Sequence, residues 1–277
     1  MSRPEDDGSV RFLYGTALGR GLLKLIQTLH ADRLIVRFLR SGWSRPYMNR
    51  FVRRHGIPLS REELRSFPSY QAFFVRERAP QRIDMTPDHL ISPCDGWLSA
   101  YSIGRDSSFA IKGSRYRVQD LLGDGNLAGR YEGGDCLVFR LCASDYHHYC
   151  YIDDGLQGPN HYMEGKLHSV QPIACEHYPI FTLNRRSWCR MDTEHFGSVV
   201  QTEIGALIVG GIVNAPEGPM KRGGEKGRFD LAGSTIVLLF EPGRIALRLE
   251  LAARLEEGLE TRVEQGAWVA TAAGRLE

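Results

Sequence analysis

The sequence predicts an α+β protein, a β-rich sandwich or barrel-like domain preceded by amphipathic N-terminal helices. Three observations carry this reading. Residues 9–56 are basic and repeat their apolar positions at helical spacing. The rest consists of short β-branched and aromatic runs between turn residues, and 30 glycines punctuate the chain.

The helical preface comes first. Between 9 and 56 stand Arg11, Arg20, Lys24, Arg33, Arg37, Arg40, Arg45, Arg50, Arg53 and Arg54 against one acid, Asp32. Leu18, Leu22, Leu25, Ile26 and Leu29 recur every third or fourth residue. Leu34, Ile35, Phe38 and Leu39 do the same, with Arg33, Arg37 and Arg40 on the other side. Such helices pack on the protein body or lie in the interface of an anionic membrane, where Trp43, Tyr47 and Phe51 would sit among basic side chains. Both uses stay open together. No groove-reading motif accompanies the charge, so no nucleic-acid partner is expected.

Ser60-Arg61-Glu62-Glu63 has the capping-box pattern and opens a short helix. Strands are then expected over 98–103, 109–112, 136–141, 204–213, 234–241 and 244–251. The run IVLLFEPGRIALRLEL predicts a hairpin turning at Pro242-Gly243, since Pro and Gly each favour turns. There is no repeat of fixed period and no low-complexity linker. The simplest division is a basic, membrane-associating helical segment over 1–60 and one β-rich domain over 61–277.

Composition bounds what these elements build. Hydrophobic residues at 42% and charged residues at 25% exclude a disordered, collagen-like or coiled-coil chain. A chain of 277 residues buries enough surface to fold without disulfides or a structural metal. Cys94, Cys136, Cys142, Cys150, Cys175 and Cys189 form no CxxC pair or zinc spacing, which predicts reduced thiols in the cytosol. With no apolar run of about 18 residues and no basic-then-apolar start, neither a membrane-spanning helix nor a secretory leader is expected.

Four stretches set reactive residues among strand and turn signals: Ser92-Pro93-Cys94-Asp95-Gly96, Asp145-Tyr146-His147-His148-Tyr149-Cys150, Gly223-Gly224-Glu225-Lys226-Gly227 and Leu231-Ala232-Gly233-Ser234-Thr235. Each also has an ordinary structural reading, and the glycine-rich one lacks P-loop spacing. An acid, a histidine and a serine on separate β-elements nonetheless suit a nucleophile, a base and an orienting acid. A metal site drawn from His147, Cys150, His161 and His168 matches no ligand pattern, and no metal is expected.

The chain resembles the phosphatidylserine decarboxylase family, pyruvoyl-dependent enzymes, and looks most like its shorter bacterial branch. The matching pieces run in family order: FFVRERAPQRID (73–84), SPCDG (92–96), IKGSRYRVQDLLG (111–123), RLCASDYHHY (140–149), GKLHSVQPIA (165–174), FTLNRR (181–186), FGSVVQTEIGALIVGGIV (196–213), GGEKGRF (223–229) and AGST (232–235). The resemblance implies a carboxy-lyase made as a zymogen. Ser234 would attack the carbonyl of Gly233, and elimination of the resulting ester would cut the chain between 233 and 234. Ser234 would become an N-terminal pyruvoyl group, the only cofactor implied and the Schiff-base former with the amine of phosphatidylserine. Phosphatidylethanolamine and CO2 would follow. Large and small chains of one polypeptide, an anionic membrane surface at the cytoplasmic face and a peripheral location are further implications; a homo-oligomer stays open.

For site residues the resemblance implies Asp95 as the acid of the SPxDG turn, His147 as the general acid/base and Ser234 as the nucleophile and pyruvoyl precursor. One departure stands out. The family has a second histidine three residues after the first, and here that position is Cys150. Cys150 therefore competes with His147 and His148 for the base role, and His147 is preferred because a histidine titrates near neutral pH. Two alternatives remain: a pyruvoyl decarboxylase of another amine-bearing acid, and a processing-dead membrane-binding relative motivated by Cys150.

Overall fold

The computed structural model describes residues 8–28, 32–78, 81–111, 114–166, 168–169, 172–175, 178–206, 211–231 and 234–273. Its N-terminal part is helical: α1 (Gly8–Gly15), α2 (Ala17–Thr28), α3 (Asp32–Arg40), α4 (Arg45–His55), α5 (Arg61–Ser66) and α6 (Tyr70–Phe74). The capping box at Ser60 is formed. Glu63 N donates to Ser60 Oγ over 3.1 Å and Ser60 N to Glu63 Oε2 over 2.8 Å. Left-handed Gly56 (φ 60°) ends α4, where a residue with a Cβ would be strained.

Strands follow: β1 (His89–Ile91), β2 (Gly96–Ser102), β3 (Ser108–Ile111), β4 (Ser114–Arg117), β5 (Asp135–Leu141) and β6 (His148–Cys150). Next come β7 (Gly155–Gln157), β8 (His161–Met163), β9 (Arg186–Thr193), β10 (Gly197–Ile204), β11 (Ile212–Asn214) and β12 (Gly218–Met220). The last are β13 (Glu225–Phe229), β14 (Ser234–Phe240), β15 (Ile245–Leu247), β16 (Thr261–Val263) and β17 (Trp268–Ala272).

Among the described residues a nine-stranded antiparallel sheet runs β12-β7-β9-β10-β14-β5-β2-β16, with β8 also pairing β9. Its ends, β12 and β16, do not pair, so the β-rich domain is no closed barrel. The apolar run of β14 is explained by its central place: Ile236, Leu238 and Phe240 enter one core cluster, Val237 and Leu239 the other. A strand buried on both faces reads as continuous hydrophobicity. Each such side chain contributes about 1.5–3 kcal/mol relative to exposure.

The expected hairpin at Pro242-Gly243 is corrected. The chain does turn there, with Gly243 at φ 66°, but β14 pairs β5 and β10 while β15 pairs β17. Both edges of β14 are already taken, so the returning strand joins another sheet. The strand expected over 244–251 is short, and α11 (Leu249–Glu256; α7 to α10 are Val118–Leu122, Gly125–Ala128, Pro172–Cys175 and Ile180–Leu183) takes over its end. The strand expected over 204–213 is two pieces, the end of β10 and β11, with 207–210 outside the described residues.

The N-terminal helices pack on the body with one face. Tyr14 and Leu23 join the second core cluster, while Leu39, Met48 and Val52 pack with Phe73, Phe74 and Leu231. Their other face keeps Leu18, Leu22, Leu25, Leu34, Phe38, Trp43 and Tyr47 in solvent, Trp43 at 85% exposure. Ile26 is described by its backbone alone, and Leu29 lies outside the described residues. No helix among the described residues is long and apolar enough to cross a membrane.

Candidate active site

The motif residues converge where β5 leads through residues 142–147 into β6. Asp145 closes this loop: its N donates to Cys142 O over 2.9 Å, and Cys142 N donates to its Oδ2 over 2.7 Å. His147 follows, fully buried, its ring lying 3.8 Å from that of Phe74 on α6. Its Nδ1 is 3.0 Å from the Asp145 carbonyl oxygen. A carbonyl only accepts, so Nδ1 carries the hydrogen and Nε2 keeps the lone pair. That Nε2 is buried and has no partner among the described residues. The expectation that His147 titrates near neutral pH is corrected: burial pulls its pKa down to about 4, against the opposing pull of Asp145, so the ring is neutral at pH 7.

The other two contenders for the base are differently placed. His148 has both nitrogens engaged, Nδ1 with Glu225 Oε1 at 3.0 Å and Nε2 with Val75 O at 3.2 Å. Cys150 is buried, its Sγ 3.9 Å from Ser92 O, and burial pushes its thiol up to about 12. A thiol so shifted is protonated at neutral pH and has no thiolate to act as base.

Asp95 sits in the turn between β1 and β2. Its carboxylate is forked by Arg78, with Nη1–Oδ2 at 2.5 Å and Nη2–Oδ1 at 3.1 Å, and also accepts from Gln265 N at 2.9 Å. These partners, rather than an imidazole, hold it. Gln265 also donates from Nε2 to Pro93 O and His148 O, at 3.2 and 3.3 Å. Arg78 lies over the Tyr146 ring, 4.1 Å from its centroid. The acid turn and the histidine loop are therefore laced together by Arg78 and Gln265.

Both flanks of the expected cleavage point reach this loop. Upstream, Phe229 N donates to His147 O over 2.9 Å. Asp230 is held by Arg40 Nη2 and Gln71 Nε2, each at 2.6 Å, and Leu231 is buried among the helices. Downstream, Ser234 begins β14 opposite Leu141, the last residue of β5. Gly233 lies outside the described residues, and Ser234 is described by its backbone alone. Thr235 is buried, its Oγ1 without a partner among the described residues.

The glycine-rich stretch has a packing role in the structure. A Cβ on Gly227 would fall 2.3 Å from Val213 O, so glycine alone lets β13 approach β11 this closely. Beside it Lys226 is fully buried against Glu203, Nζ–Oε1 2.6 Å. The residues of the alternative metal set are apart in use: His161 stacks on Trp188 and His168 on Tyr178. Among the described residues no three His, Cys, Asp or Glu form a group able to hold a metal.

Sequence reasoning did not single out Phe74, Arg78, Arg262 or Gln265. Phe74 and Arg78 lie inside the first matching piece, Phe74 as the second residue of its aromatic pair and Arg78 four residues on. Arg262 and Gln265 follow the last piece, and nothing local marks them.

Comparison with known proteins gives the family of the chain. The family model for phosphatidylserine decarboxylase matches residues 70–266, which holds every site residue named above. Phosphatidylserine decarboxylase proenzyme 2 of Clostridium acetobutylicum is 38% identical over 263 residues, covering 94% of this chain and 90% of that protein. The phosphatidylserine decarboxylase proenzyme of Desulfitobacterium hafniense is 35% identical over 268 residues, 92% of this chain and 88% of its own. That of Chlamydia caviae is 34% identical over 267 residues, 93% and 89% respectively. These matches define a decarboxylase. The chain belongs to the phosphatidylserine decarboxylase family.

Proposed function

We propose that the chain is a proenzyme that cuts itself between Gly233 and Ser234, with His147 as base, and then decarboxylates phosphatidylserine to phosphatidylethanolamine. The observation that carries this reading is the buried Nε2 of His147, without a partner among the described residues, on a loop that binds the upstream flank of that bond and follows β5, whose last residue faces Ser234.

In the cut, the Ser234 hydroxyl adds to the Gly233 carbonyl carbon. An ester C–O bond forms, the peptide C–N bond breaks, and the proton passes through His147 to the departing nitrogen. His147 then takes the Cα proton of residue 234. The Cβ–O bond breaks, and residue 233 leaves as a carboxylate on chain 1–233. Water releases the nitrogen as ammonia, leaving a ketone at the start of chain 234–277. The ring is neutral at pH 7, so its Nε2 lone pair is available for both proton removals, while burial makes it a weaker base than a free imidazole.

The pyruvoyl group so made supplies a carbonyl for the substrate's amine and an electron sink for the pair left by departing CO2. The residues present suit that group. Ser234 opens a central strand fixed on both edges, and His147 Nε2 and Thr235 Oγ1 are buried polar atoms that lack a partner among the described residues. His147 Nε2 takes the proton that the substrate's ammonium sheds on becoming a free amine, and returns it to the substrate carbon once CO2 has left. Asp95 supports it at one remove, by fixing the Gln265 backbone whose side chain holds the His148 carbonyl. Cys150 is a passive occupant of its position. The exposed apolar and basic side chains of α2 to α4 seat the protein peripherally on anionic lipid at the cytoplasmic face.

The test is conversion of phosphatidylserine vesicles by purified protein, followed by release of CO2 and formation of phosphatidylethanolamine. Protein with Ser234 is expected to turn over and Ser234→Ala to be inert. Equal turnover by both would overturn the reading.

A further inference from the structure

The strand that carries Arg262 belongs to the part of the chain after the scissile bond, yet it reaches the histidine loop. Arg262, on β16, grips the Asp145 carboxylate with both arms of its guanidinium: Nη1–Oδ2 3.0 Å and Nη2–Oδ1 2.7 Å. The same carboxylate accepts from Cys142 N, so side chain and backbone of Asp145 are fixed together. The Asp145 carbonyl is the sole partner of His147 Nδ1 among the described residues. In register, Arg262 stands opposite Trp97, two residues past Asp95, and Gln265 on the same stretch binds Asp95 itself.

We infer that Arg262 is a positioning residue for His147, acting through Asp145 to aim the carbonyl that fixes the ring's tautomer and direction. This rests on the function proposed above and extends it. The segment that becomes the small chain brings Ser234 and also orients the base that works on it. After the cut, the Arg262–Asp145 pair joins the two chains, so the base stays aimed for the decarboxylation that follows. A planar fork is suited to this task because it fixes two oxygens at once, which an ammonium does not. The Arg262 side chain is 43% exposed, so replacing it disturbs the loop more than the core.

The charged and titratable groups that bear on His147 are Asp145 on its own loop, His148 beside it, and Arg76 following α6. Removing Arg262 leaves the Asp145 charge without its counter-ion, and the His147 titration midpoint should move upward. The experiment has two arms. In the uncut Ser234→Ala chain, ¹⁵N imidazole spectra across pH read the tautomer and midpoint of His147 without any chemistry. With Arg262 present, one Nδ1–H tautomer is expected. Arg262→Gln should mix the tautomers and raise the midpoint, and Arg262→Lys should fall between. Unchanged tautomer and midpoint in Arg262→Gln would overturn the inference. Should Arg262→Gln fail to fold, Arg262→Lys, which keeps the charge and loses the fork, reads the same two quantities.

The second arm follows self-cleavage by intact mass with Ser234 in place. Arg262→Gln should slow it about 10- to 100-fold, the cost expected of a misaimed catalytic group, and Arg262→Lys should recover part of the rate. Normal cleavage in both variants would contradict the inference. Absence of cleavage in the unsubstituted chain would count against the proposed function instead, and the spectroscopic arm would still decide the role of Arg262.

Discussion

Replacing Lys226 by Met should cost more stability than any surface change in this protein. Lys226 and Glu203 are both 0% exposed, with Nζ 2.6 Å from Oε1. Burial opposes the ammonium, but Glu203 overrides it and holds Lys226 above its ordinary pKa. Asn214 and Gln201 complete the cage, Asn214 Nδ2 donating to Glu203 Oε2 at 3.0 Å and Gln201 Nε2 to Oε1 at 3.0 Å. The pair pins β13 to β10, and so holds the β6–β13 ribbon over the sheet that contains β14. Met fills the space of the lysine but leaves a carboxylate in the core with two amides for company. Breaking one member of a buried pair costs about 3–5 kcal/mol, much of an ordinary margin of about 5–15 kcal/mol. Glu203→Gln alone should cost a similar amount, by stranding the ammonium. The double variant should return to within about 1–2 kcal/mol of the parent, because no buried charge remains. Urea unfolding on the Ser234→Ala background keeps one chain and a clean transition. Single variants within about 1 kcal/mol of the parent, or a double variant no better than either, would refute this reasoning.

Three further outcomes are expected. Cys150→Ser should still self-cleave, since the buried thiol is pushed up to about 12, whereas His147→Gln should slow cleavage about 100-fold or more; intact-mass time courses would show the reverse if the base were misassigned. His147 is held near 4 by burial against an ordinary 6.5, so the unfolded chain takes up its proton first as pH falls. Stability present above pH 6.5 should thus drop by about 3 kcal/mol as pH falls towards 4, and His147→Gln on the Ser234→Ala background should flatten that slope in denaturant titrations at pH 7 and 4.5. Binding to phosphatidylserine vesicles should weaken with salt, and Arg33→Glu with Arg37→Glu should weaken it further, at about 1 kcal/mol per residue. Arg40 is left intact there because it holds Asp230. Salt-insensitive binding, equal on neutral and anionic vesicles, would assign these helices to packing alone.

Where local rules decide the outcome, the sequence was a good guide. The Ser60 capping box needs only residues three apart, and β5 and β14 carry the apolar runs 136–139 and 236–240, buried on both faces of the sheet. The hairpin expectation failed because turn chemistry at Pro242-Gly243 fixes a reversal but says nothing about which edge is vacant. At the site, Asp95, His147 and Cys150 were visible because they sit in compact motifs. What holds them was not. Gln265 meets Asp95 across 170 residues of chain and Arg262 meets Asp145 across 117, contacts that no periodicity encodes. The relative standing of His147, His148 and Cys150 likewise depends on burial and on partners such as Val75 O and Glu225, which only the folded chain supplies.

Self-cleavage between Gly233 and Ser234 is the claim on which the rest depends, and the intact mass of the purified protein addresses it directly. Two chains are expected, 1–233 with an ordinary carboxylate and 234–277 with a pyruvoyl group that blocks Edman degradation, and a single chain of 277 residues for Ser234→Ala. A fully active preparation consisting of one uncut chain, with Ser234 intact, would contradict it.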